Sequence, residues 1–91
     1  MGRDVIMYNK QLTRQYLQFI KQAGFKDSKD TLGYYFDNGT KKFSIMISGP
    51  TFNCFYNEKI NSAWILKLKK PGVLNIEDCL KWILDCIQKE K

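Results

Sequence analysis

From Thr31 to Tyr56, apolar and polar residues alternate with period two around two turn signals, Asn38-Gly39 and Gly49-Pro50. This predicts three successive antiparallel strands. If two-residue turns join them, Tyr34 lies opposite Phe43 and Leu32 opposite Ile45 across the first turn. Across the second, Ile47 meets Phe52 and Ile45 meets Cys54. All seven of these side chains are expected on one apolar face. The other face then shows Tyr35 beside Lys42, Ser44 beside Phe55, and Met46 beside Asn53. After a polar loop at 57–62, alternation resumes from Ala63 to Lys69, with Trp64, Leu66 and Leu68 on one side and Ile65, Lys67 and Lys69 on the other. Pro71-Gly72 ends this fourth strand, which is expected to bring Lys67 and Lys69 beside Tyr35 and Phe55.

Both flanks of this block carry helical periodicity. Between Asn9, an N-cap residue type, and Gly24, a helix-stop residue, Tyr8, Leu12, Tyr16, Phe19, Ile20 and Ala23 fall within one arc at 100° per residue. Phe25 can fold back on that arc, and Lys10, Arg14 and Lys21 form a basic ridge opposite it, with no acid between Val5 and Phe25. Residues 26–31 read as a polar connector. At the other end Asn75 is an N-cap, Asp78 stands where a capping acid would, and Leu74 is placed to staple onto Cys79. Ile76, Leu80, Ile83, Leu84 and Ile87 then make a core stripe flanked by Cys79 and Cys86. Trp82 projects away from that stripe, which makes it either a packed side chain or an anchor for a partner or a second copy.

The order helix, four strands, helix gives an α+β fold, a two-layer sandwich in which an antiparallel meander carries both helices on its apolar face. At 91 residues the chain is expected to form one domain, 1–91. No apolar run approaches the roughly 20 residues of a membrane span. The start Met1-Gly2-Arg3-Asp4 lacks the apolar centre of a signal peptide, so the expected compartment is cytoplasmic.

Charge and chemistry narrow the function. Lys and Arg number 15 against 9 acids, a net +6, and Arg3 and Arg14 are the only arginines. A lysine-rich surface suits phosphate backbones or acidic protein patches better than bidentate base reading. There is no histidine, and the 3 cysteines form no C-x-x-C pair, so a zinc site, a triad and a disulfide framework are all disfavoured. The acids converge on no common cleft, and the glycines form neither a Walker loop nor a dinucleotide fingerprint. These features point to a non-enzymatic binding module with no cofactor and no small-molecule substrate. Its expected partner is nucleic acid, held by Tyr35, Phe55, Lys42, Lys67 and Lys69 on the open face, with Lys10, Arg14 and Lys21 as an added basic ridge. The competing expectation uses the same face to bind and inhibit a host nucleic-acid-handling protein, as a small phage or mobile-element protein would, with a homodimer through Trp82 as a further option.

Overall fold

The computed structural model describes residues 10–89, with side chains from Leu12 to Lys89. The elements are α1 (Lys10–Gln22), β1 (Lys26–Lys29), β2 (Gly33–Asp37), β3 (Lys41–Ser48), β4 (Thr51–Ile60), β5 (Ala63–Val73) and α2 (Ile76–Lys89). The fold is α+β as expected, but the antiparallel sheet has five strands rather than four, in the order β1-β2-β3-β4-β5. The additional strand is β1, where a polar connector was expected. Its residues are all exposed, so no alternation marks it, and only backbone pairing to β2 defines it. The turn into β2 is organised by Asp30, whose Oδ1 accepts from the backbone N–H groups of Leu32 (2.8 Å) and Gly33 (3.0 Å).

The helices occupy one side of the sheet. Ile20 of α1 and Cys79, Leu80, Ile83 and Cys86 of α2 share a single core with Phe25, Phe36, Phe43, Ile45, Cys54, Tyr56 and Val73. Gly24 (φ 99°) ends α1 in the left-handed region, and Phe25 donates its N–H to the Ile20 carbonyl as it folds inward. The α1 arc is rotated from expectation: Leu17 packs against the core, whereas Phe19 is 52% exposed and Ala23 is also exposed. Tyr8 and the proposed Asn9 cap lie outside the described residues. On α2, Asn75 Oδ1 accepts from the Asp78 N–H (2.9 Å), which is the expected cap. The Leu74 staple does not form. Val73 takes the buried position, and Leu74 is 76% exposed. Leu80 and Ile83 of the expected stripe are fully buried, but Cys79 and Cys86, expected at its flank, lie deeper than Ile76, Leu84 and Ile87.

Register follows the turns. The second hairpin pairs Ile47 with Phe52, Ile45 with Cys54 and Ser44 with Phe55, as anticipated. The first is offset by two residues, pairing Tyr34 with Ile45, Tyr35 with Ser44 and Phe36 with Phe43. The cause is Asn38. Its Oδ1 accepts from Thr40 N, Thr40 Oγ1 and Lys41 N, so Asn38 braces the turn from outside, while Gly39 (φ 96°) and Thr40 form its centre. An offset of two preserves which face each side chain takes.

The last hairpin is longer than expected. β4 continues to Ile60, the two-residue turn is Asn61-Ser62 with both residues at positive φ (53° and 69°), and β5 runs through Pro71-Gly72 to Val73. Pro71 is tolerated because β5 is an edge strand. By rise per residue β5 spans about 36 Å, against about 21 Å for α2, so the distal hairpin outruns the helices.

Candidate binding face

On the side of the sheet away from the helices, cross-strand pairing builds two rows. One runs Tyr35, Ser44, Phe55, Lys69 across β2 to β5, and the next runs Asp37, Lys42, Asn57, Leu66. Ser44 is buried even though it faces outward, since it sits between Tyr35 and Phe55, both half-buried. The structure therefore brings Tyr35, Lys42, Phe55 and Lys69 together, although Lys42 lies opposite Asp37 instead of Tyr35.

A bulge changes what β5 contributes. Asn57 pairs with Leu66 and Tyr56 with Leu68, which leaves Lys67 without an opposite residue. Alternation flips at that point. Trp64 and Leu66 thus share the open face with Phe55 and Lys69, while Ile65 and Leu68 take the helix side, correcting the expected sorting of this strand. Trp64, paired with Lys59, is the residue that sequence reasoning missed. The Lys42 Nζ lies 4.8 Å from its ring centroid and the Lys59 Nζ 5.4 Å. The signal was there in outline, an aromatic residue on a lysine-rich strand, but period-two counting through the bulge put it on the wrong face.

Hydrogen bonds hold the acids at the rim of this face. The Tyr35 hydroxyl donates to Asp30 Oδ1 (3.2 Å), and partial desolvation followed by the Asp30 charge raises its pKa. Asp30 itself is lowered, first by the Leu32 N–H. Asp37 accepts from the Gly39 N–H at 2.6 Å.

The remaining candidates lie elsewhere. Arg14 and Lys21 belong to the helix layer, and Lys21 faces Asp27 of β1 at 3.8 Å, so a strand supplies the acid that α1 lacks. The Lys10 side chain lies outside the described residues. Trp82 is half-buried and packs edge-on to Phe43, with centroids 6.2 Å apart and planes at 88°. Leu32 and Ile47, expected to be covered, are 62% and 60% exposed because the helices stop short of that end of the sheet. Cys54, Cys79 and Cys86 are buried free thiols, and the Cys79 thiol is pushed far up by its hydrogen bond to Cys54 and then by burial. Among the described residues no group of three or more Cys, Asp or Glu is placed to hold a metal, and no helix is long and apolar enough to cross a membrane. No family model, curated protein or solved structure matches the chain.

Proposed function

We propose that the open face is a platform for single-stranded nucleic acid, with Tyr35, Phe55 and Trp64 as stacking surfaces and Lys42, Lys59, Lys67 and Lys69 as phosphate contacts. The observation that carries this reading is Trp64 with two lysines over one ring, on the helix-free face. A lysine on an indole is worth about 0.5–1 kcal/mol, so the two together about 1–2 kcal/mol, whereas a base stacked on an aromatic side chain is worth about 1–3 kcal/mol. A base therefore matches or exceeds the lysines it displaces, and the freed ammonium groups are left to meet the flanking phosphates. Tyr35 and Phe55 stand two strands apart, about 10 Å, which suits separated, unstacked bases better than a duplex. The compact ammonium groups suit backbone contact rather than base reading, so little sequence preference is expected.

The test is binding of fluorescently labelled oligo(dT), oligo(U) and a duplex of equal length across a salt series. Affinity for the single strands is expected to fall steeply as salt rises, and Trp64→Ala is expected to weaken it about tenfold or more. Equal binding to the duplex, or an unchanged affinity in Trp64→Ala, overturns the platform. Absence of any salt-sensitive retention on heparin and on oligonucleotide transfers the face to a protein partner.

A further inference from the structure

The outer edge of β5 is a different surface with a different chemistry. This strand pairs with β4 alone among the described residues, so its outward backbone groups along 11 residues have no strand partner. Ile65 and Leu68 are exposed on the helix side and Leu66 on the open side, so apolar side chains flank the edge both above and below. Between them stand Lys67, Lys69 and Lys70, with no acid from Ala63 to Val73. Where Pro71 interrupts the row of N–H donors, the edge runs into a groove of about 460 Å³ between β5 and α2, lined by Pro71, Leu74, Lys81 and Trp82. Charge in the groove is mixed, Lys70 and Lys81 standing with Asp78 and Asp85, so selection by charge falls to Lys67 and Lys69.

We infer that β5 accepts an extended segment of another protein, carrying both apolar and acidic side chains, as a sixth strand, with its last apolar side chain resting on Trp82 in the groove. Main-chain pairing supplies adhesion and the flanking pockets supply selection, as in other cases of strand addition. A second copy of this chain is the wrong occupant. Antiparallel pairing of β5 with itself centred on its basic half sets lysines against lysines, and like charges directly opposed are destabilising. The whole molecule also carries +6. Lysines on an edge strand commonly deter indiscriminate pairing, and the same lysines make an acidic strand the one that fits.

Hydrogen exchange of the full-length, isotope-labelled protein tests this directly, with short synthetic peptides of alternating valine and glutamate or valine and lysine as probes. The glutamate peptide is expected to slow exchange of the amides of residues 63–70, and the lysine peptide to leave them unchanged. K67E/K69E is expected to reverse the preference by about tenfold, within the range that two exposed ion pairs supply. The edge proposal is overturned if neither peptide alters β5 exchange or if the slowing grows with protein concentration alone. It is also overturned if the Tyr35→Ala/Phe55→Ala variant loses the peptide effect, because the peptide would then sit on the open face.

Discussion

The two halves of β4 run in one strand and meet opposite surroundings. From Phe52 to Tyr56 the strand lies under the helices, and Cys54 and Tyr56 are almost wholly buried. From Asn57 to Ile60 it lies beyond them, and Ile60 is exposed. Both halves pair with β5, but the helix-side positions are Phe52, Cys54 and Tyr56 in the first and Glu58 and Ile60 in the second. Composition and helix reach act together, because a sheet residue is core only where it is apolar and a second layer covers it. The proximal half supplies core side chains, and the distal half leaves Lys59 and Ile60 exposed.

Substitutions sharpen this contrast in order of size. Phe43 pairs with Tyr56, and its ring stacks on Tyr56 at 4.7 Å and also meets Phe25 and Trp82. Phe43→Ala should cost about 3–5 kcal/mol, whereas Ile65→Ala on the distal hairpin should stay within about 0.5 kcal/mol. Urea unfolding of both variants measures the gap, and similar losses would show that the distal hairpin is structural. Asn75→Ala removes the α2 cap and should cost about 1 kcal/mol, read in the same titration.

The smallest effect is pH-dependent. The Tyr34 hydroxyl donates to Asp27 Oδ2, and burial, then Asp27, raises its pKa from 10.0 to about 12. The folded state holds this proton more tightly than the unfolded chain does. Its stabilisation is therefore complete below about pH 10 and is lost as pH rises from there toward about 12. Tyr34→Phe should flatten the stability profile in that window and nowhere else, as followed by thermal melts at stepped alkaline pH.

Much of this was legible in the residues. Face assignment in β2, β3 and proximal β4 follows from alternation alone, and it survived a wrong register because the Asn38 turn shifted the pairing by two and not by one. The second hairpin was legible in its register from Ser44 to Phe55, but not in its continuation through Asn57 and Glu58. Three other features were not legible. β1 is Lys-Asp-Ser-Lys, with no apolar residue to mark a face. The bulge at Lys67 adds one residue to β5 opposite β4, which no local pattern records. The reach of the helices, which exposes Leu32 and Ile47, depends on tertiary packing. The candidate face was accordingly half visible: alternation puts Tyr35, Lys42, Phe55 and Lys69 on the open side, whereas Trp64 needed the bulge and Lys59 lay in the stretch read as a loop.

The unbroken strand order has a bearing on how the chain finds its shape. Each ribbon joins the one made just before it, so the sheet can zip up through short, cheap closures. Seating α1 against α2 is the exception, since it brings together segments from opposite ends of the polypeptide. The entropic toll of assembly is therefore concentrated in that one late encounter, and early species are expected to expose a finished sheet with a bare apolar back.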